Sequence, residues 1–183
     1  MNCRKFLQCQ SKRPKRPFIS GCWIWSNPSK VRVLTAEYPG GDVWVTLSLE
    51  SRFESIEIAE RALVDLLAGN GVGDDEQYWI LTALREAIAN AIRHGHREQP
   101  EERVRVDFRV GADQLSITVL DQGDGFDSSV IPDPRDAENI LKPCGRGIFY
   151  MRRFMDEVAF RREPGEGTMV TMSRRLTARS IKE

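Results

Sequence analysis

A carboxylate and an amide lie four residues apart in the segment EAIANAIRHG, at Glu86 and Asn90. Because an α-helix makes one turn about every 3.6 residues, this spacing puts both groups on one helix face. A carboxylate can accept the proton of a hydroxyl group or a water molecule. An amide oxygen is an uncharged ligand that suits a hard cation such as Mg²⁺. The pair is a candidate for proton transfer beside a bound cation, although a solvated amphipathic helix shows the same polar stripe.

Three glycine-rich segments follow, at 121–126 (DQGDGF), 145–151 (GRGIFYM) and 165–168 (GEGT). Glycine has no Cβ, so each segment lets the backbone approach a ligand closely. The second segment opens a predicted helix, whose first N–H groups form an anion site suited to phosphate. An ordinary turn and a flexible joint are the alternative explanations for the first two. A dinucleotide-binding fingerprint is excluded because Tyr150 occupies the third glycine position, and the chain has no GxxxxGK[ST] phosphate loop.

Alternating apolar and polar residues predict the strands that carry these segments. Residues 43–49 and 104–110 alternate in the manner of strands with one buried face. The second of them turns through 111–114 into a further strand, so we expect a hairpin that delivers Asp121 to the end of the sheet. A last hairpin is predicted over residues 158–172.

Helical spacing of apolar residues predicts three helices. The first covers about 53–67, the second is capped by Asp74 or Asp75 and ends near Gly95, and the third starts just after Gly147. The core-facing side of the second helix is expected to carry Leu81, Leu84, Ile88 and Ala91. Three helices and about five strands predict an α+β fold, a two-layer sandwich with a mixed, mainly antiparallel sheet.

The length and composition of the chain are those of one globular domain of 183 residues. No apolar run approaches the roughly 18 residues of a membrane-spanning helix, and no signal peptide is evident. We therefore expect a cytoplasmic protein with no membrane partner. The four cysteines include no CxxC pair, which favours reduced thiols over disulfides or a zinc site.

Charge is distributed unevenly along the chain, although the formal net charge is zero. Residues 1–36 hold eight Lys or Arg and no acid, which leaves 19 basic against 27 acidic residues in the rest. An acidic domain is poorly suited to sequence-independent nucleic-acid binding, so we expect no direct nucleic-acid partner. We predict that residues 1–36 form a basic, disordered leader, with the domain at 37–176 and a tail at 177–183.

The ordered set EAIANAIRHG, DQGDGF, GRGIFYMRRFMDEV and GT resembles the N box, G1 box, G2 box and closing Gly-Thr of the GHKL ATPases. Within that superfamily the chain is most similar to the bacterial anti-sigma-factor serine/threonine kinases, over about residues 37–175. The resemblance implies the Bergerat ATP-binding fold. The interval 127–147, much of it rich in Ser, Pro, Asp and Glu, matches the family's lid over ATP.

The resemblance also assigns roles to individual residues. Glu86 corresponds to the general base, Asn90 to the Mg²⁺ ligand, and Asp121 to the acceptor of the adenine amino group. Thr168 corresponds to the threonine that holds a water under adenine. Arg85 departs from relatives that carry another acid before the base. The residues implied in binding Mg-ATP are Asn90, Asp121, Gly123, Gly125, Phe126, Gly145, Arg146, Gly147 and Thr168.

The implied activity is phosphorylation of an anti-anti-sigma (STAS-type) protein, using Mg-ATP, by an anti-sigma factor that alternately sequesters a sigma factor. Two alternatives stay open. Arg85 and the leader favour a nucleotide-gated module that captures its partner without phosphorylating it. The catalytic domain of a histidine kinase is less favoured, because no histidine precedes Trp44. Family members often dimerise, which leaves a homodimer open.

Overall fold

The computed structural model describes residues 31–37, 42–95, 101–123, 146–163 and 167–177. Six strands and three α-helices occur in these ranges. In chain order the elements are β1 (Val31–Glu37), β2 (Val43–Glu50), α1 (Glu54–Gly69), α2 (Asp74–Asn90), β3 (Arg103–Val110), β4 (Gln114–Leu120), α3 (Arg146–Phe154), β5 (Glu157–Glu163) and β6 (Gly167–Arg175). Of these, α2 continues directly into a π-helical turn, Ala91–Gly95.

The strands form one sheet in the order β1-β2-β3-β4-β6-β5. The predicted two-layer α+β fold and both predicted hairpins are confirmed. The prediction of a mixed sheet was wrong for the described residues, because every pair of neighbouring strands is antiparallel. The closing hairpin adds β6 beside β4, which leaves β5 at the edge of the sheet.

A sixth strand, β1, lies where the predicted leader ends. Its backbone pairs with β2 along its whole length, from Val31 opposite Leu49 to Glu37 opposite Val43. This pairing satisfies backbone groups of β2 that would otherwise stay open at the sheet edge. Among the described residues, the sheet thus includes 31–37, most of which the sequence analysis assigned to the leader. The rest of the predicted leader lies outside the described residues.

The core lies between the sheet and the helices, and the strand alternation predicts its composition well. Val104, Val106, Phe108 and Val110 of β3 are all buried, and the residues between them face away from the helices. Leu63 and Leu67 of α1 are fully buried on the helical side. Burial of each such side chain stabilises the fold by about 1.5–3 kcal/mol. This packing fixes α2 against the sheet, and α2 carries the candidate site.

The start of α2 differs from the prediction. Gly73, in an extended conformation, is the N-cap residue, and no side chain caps the helix. Asp74 and Asp75 instead lie in the first turn, where their charge is favourable beside the free N–H groups. Leu81 is half-buried at the margin of the packed face, whereas the buried residues of the helix itself are Ile80, Ala83, Leu84, Ala87, Ile88 and Ala89. Within the described ranges, no helix is long and apolar enough to cross a membrane.

Candidate active site

The first helical turn of α3 packs directly on the polar stripe of α2. A Cβ atom placed on Gly147 would lie 2.5 Å from Oε2 of Glu86 and 3.5 Å from Nδ2 of Asn90. Only glycine leaves room for the Glu86 carboxylate in this position. Further along, the ring of Phe154 stacks on Trp79 with centroids 4.3 Å apart, so the two helices run antiparallel. The structure therefore brings together three of the residues that the sequence predicted for the phosphate end.

Glu86 and Asn90 keep their polar groups available at this contact. Both residues are half-buried, and neither side chain makes a hydrogen bond or ion pair within the described part of the chain. A carboxylate and an amide oxygen on adjacent turns of one helix can act on the same ligand. The pair has the geometry for proton acceptance beside a coordinated cation.

Arg85 points away from this face, toward α1. Its Nη2 lies 2.8 Å from Oε1 of Glu60, and its Nε donates a hydrogen bond to the same oxygen. The arginine side chain is 62% exposed, so this pair contributes little to stability. The departure from relatives at Arg85 is thus accounted for by a helix–helix contact outside the site.

Asp121 forms the other end of the site, directly after β4. It is buried, with only 5% of its surface exposed. Its Oδ1 accepts hydrogen bonds from the backbone N–H groups of Gly123 at 3.0 Å and Thr168 at 3.1 Å. The Asp121 N–H donates in return to the carbonyl oxygen of Thr168. Within the described residues, both of these donors to the carboxylate reach Oδ1 rather than Oδ2.

A narrow cleft lies between Asn90 and Asp121. It measures about 10 Å³, close to the room that one water molecule needs. The residues that line it come from α2, the π-helical turn and three strands: Ala87, Asn90, Ala91, Val119, Asp121, Phe160, Thr168 and Val170. The polar residues among them, Asn90, Asp121 and Thr168, are those that the sequence analysis assigned to Mg²⁺ and adenine.

Two glycines that the sequence analysis did not assign to the site also contact Asp121. A Cβ atom on Gly95 would lie 2.5 Å from Cγ and 2.6 Å from Cβ of Asp121. Gly167 has φ +97°, and a Cβ atom there would overlap the carbonyl oxygen of Asp121. At Gly123, which was predicted to pass close to a purine, the absent Cβ accommodates the backbone of Gly95. Both glycines stand in motifs that the sequence analysis named, EAIANAIRHG and the closing Gly-Thr, but it gave neither of them a role.

Several predicted site residues lie outside the described part of the chain. These are Gly125, Phe126 and Gly145, together with most of the predicted lid. The last two residues of the predicted lid, Arg146 and Gly147, are the first two residues of α3. Arg146 is therefore placed at the first position of that helix, beside Gly147.

Known proteins resemble this chain over most of its length. The profile of the histidine kinase-like ATPase domain matches residues 49–174. The anti-sigma F factor of Clostridium beijerinckii is 27% identical over 134 residues, which cover 72% of this chain and 94% of that protein. The anti-sigma F factor of Halalkalibacterium halodurans is 35% identical over 107 residues, or 56% of this chain and 72% of that protein. The serine-protein kinase RsbW of Staphylococcus aureus is 28% identical over 130 residues, which cover 67% of this chain and 81% of that protein.

A solved structure shows the same fold. The RsbU and RsbW domains of a Mycobacterium tuberculosis protein superpose with a TM-score of 0.55 at 18% identity. The match covers 80% of this chain but only 36% of the other, so this chain spans about a third of that structure. The match to the family profile extends over most of the described fold and includes both ends of the cleft. The chain belongs to the histidine kinase-like ATPase domain family.

Proposed function

We propose that this protein is an Mg-ATP-dependent serine/threonine protein kinase that also acts as an anti-sigma factor. Two contacts carry the proposal: Gly147 packs on Glu86 and Asn90, and Asn90 lines a small cleft together with Asp121. The names of the relatives, anti-sigma F factor and serine-protein kinase, support the same activity.

Asp121 is the residue that we assign to adenine. Within the described residues its Oδ1 accepts the N–H groups of Gly123 and Thr168, and we assign Oδ2 to a donor on the base. The amino group of adenine can donate to it, whereas guanine carries a carbonyl oxygen at the same ring position. Such a buried acceptor, left without a donor by the wrong base, gives strong selectivity for ATP. The cleft beside Thr168 has about the volume of one water, which fits the role that the resemblance gives this threonine.

Asn90 and Glu86 are the residues that we assign to phosphoryl transfer. The amide oxygen of Asn90 suits one position around a Mg²⁺ ion, which when bound neutralises charge on the phosphates. Glu86 takes the proton from the attacking serine or threonine hydroxyl group. The hydroxyl oxygen forms a bond to the γ-phosphorus as the bond to the leaving ADP oxygen breaks. We assign phosphate binding to the N–H groups at the start of α3, next to Gly147, because a helix start suits an anion, and the resemblance adds Gly145 and Arg146 there.

The partners that fit this activity are an anti-anti-sigma protein and a sigma factor. A phosphate on a serine of the anti-anti-sigma protein adds negative charge at a packed interface and expels that protein. The freed kinase then captures the sigma factor. One of the two reasons for a capture module without kinase activity, Arg85, loses its weight because this residue pairs with Glu60 away from the base.

The test is transfer of labelled γ-phosphate from Mg-ATP to the anti-anti-sigma protein of the same cells. We expect one phosphorylated serine or threonine, and release of the sigma factor by the unphosphorylated protein only. In a parallel reaction with a non-hydrolysable ATP analogue, the kinase should bind the anti-anti-sigma protein without labelling it. If both reactions give complex formation and neither gives phosphoprotein, the chain is a nucleotide-gated capture module and the kinase proposal fails.

A further inference from the structure

The helix that carries Glu86 and Asn90 also reaches the proposed adenine end. After Asn90 the chain continues through the five residues of the π-helical turn, Ala91–Gly95. Its last residue, Gly95, packs against both Asp121 and Gly123. Such π-helical turns are rare and are often found at functional sites. One continuous helical segment thus contacts both ends of the cleft.

The contact between Gly95 and Asp121 leaves no space for a side chain. A Cβ atom on Gly95 would lie 2.5 Å from Cγ, 2.6 Å from Cβ and 2.8 Å from Oδ1 of Asp121. The first two atoms lie at the root of the aspartate side chain, so rotation of the carboxylate alone does not relieve the overlap. A methyl group at residue 95 must therefore displace the Asp121 carboxylate from its two backbone donors.

We infer that Gly95 is a positioning residue that sets the selectivity for ATP over GTP through Asp121. The inference rests on the proposed assignment of Asp121 to adenine. Gly95 itself needs no contact with the nucleotide, because its effect is to allow the Oδ1 hydrogen bonds that orient Oδ2. Selectivity for the base is thus built into the end of the same helix that carries the general base.

The experiment compares the dissociation constants of ATP and GTP for the wild type and Gly95→Ala. We expect the ratio of the GTP constant to the ATP constant to fall by about tenfold or more, the usual effect of losing a hydrogen bond to a charged group. The matched control is Gly69→Ala, since a Cβ atom there meets nothing within 4 Å and the residue ends α1. The control should keep the wild-type ratio.

The ratio of the GTP to the ATP dissociation constant distinguishes a positioning role of Gly95 from a general loss of structure. A smaller folded fraction weakens both nucleotides by the same factor and leaves the ratio unchanged. A Gly95→Ala protein that binds both nucleotides with the wild-type ratio therefore overturns the inference. A wild type that shows no preference for ATP overturns the assignment of Asp121 first, and the inference with it.

A second variant covers the case in which Gly95→Ala does not fold. Asp121→Gly removes the side-chain atoms that the new methyl group meets, so the double variant should fold as well as Asp121→Gly alone. In that background Gly95→Ala should also leave the nucleotide ratio unchanged, because the two residues act through one contact. A double variant that is as unstable as Gly95→Ala would show that residue 95 acts elsewhere.

Discussion

The two ends of the cleft are built in different ways. At the adenine end, the backbone fixes Asp121 through two N–H groups, and three glycines pack around it. At the proposed phosphate end, Glu86 and Asn90 are half-buried side chains with no side-chain hydrogen bond among the described residues, where Gly147 packs against them. In the described residues, backbone hydrogen bonds thus hold the carboxylate at the first end, whereas helix packing positions the side chains at the second. In our proposal, rigid backbone sets base recognition, and side chains that can move carry out phosphoryl transfer.

The largest effect on stability is expected when a side chain is added at the end that contains Asp121. Gly167→Ala places a residue at φ +97° and a methyl group against the Asp121 carbonyl oxygen. Because both the backbone conformation and the packing oppose it, we expect a loss of about 2 kcal/mol or more in the free energy of unfolding, measured by urea denaturation. An unchanged midpoint would show that the adenine end is not rigid.

The same change at the other end should affect chemistry more than stability. In Gly147→Ala the methyl group meets Oε2 of Glu86, the tip of a flexible side chain that can swing aside. Alanine also favours a helix over glycine by about 1 kcal/mol, so thermal stability should hold or rise. Displacement of the carboxylate should slow phosphoryl transfer by about 10- to 100-fold in a single-turnover assay. A stable variant with wild-type transfer would place the base elsewhere.

A smaller effect is expected at the start of α2, which anchors the helix to the sheet. Burial raises the pKa of Glu76, but hydrogen bonds from Thr177 and Arg174 and the Arg174 charge outweigh it and hold the pKa below its ordinary value. Glu76→Gln should therefore be less stable than the wild type at pH 7.

The pH dependence of that difference checks the cause. A lowered pKa in the folded state contributes stability above the ordinary value of 4.5, and the contribution disappears as the pH falls through the folded-state pKa. The gap in melting temperature between wild type and Glu76→Gln should narrow as the pH falls below 4.5. A gap that stays constant down to the lowest accessible pH would contradict the role of the ionised carboxylate.

The smallest effect is expected at Arg85. Its exposed pair with Glu60 is worth about 0.2–1 kcal/mol, and its side chain points away from Glu86. Arg85→Ala should thus keep wild-type phosphoryl transfer and lose little stability. A large fall in transfer with unchanged ATP binding would show that Arg85 serves the phosphate end after all.

Sequence reasoning succeeded where local spacing decides the structure. Helical spacing placed Glu86 and Asn90 on one face, and strand alternation put Asp121 at the end of β4. It missed β1 because the strand lies in a basic stretch and is defined by its pairing with β2. It also missed the roles of Gly95 and Gly167, since these depend on contacts with Asp121, which is distant in sequence. Residue spacing likewise does not predict that the helix ends in a π-helical turn.

The measurement that tests the central claim most directly is made on Glu86→Gln. Glutamine keeps the size of the side chain but cannot accept the hydroxyl proton. The rate of γ-phosphate transfer to the anti-anti-sigma protein and the dissociation constant of ATP are measured on the same preparation. We predict a fall in transfer of at least about 100-fold, in the range typical of losing a general base, with ATP affinity close to that of the wild type. Transfer at the wild-type rate would contradict the assignment of Glu86 and the mechanism built on it.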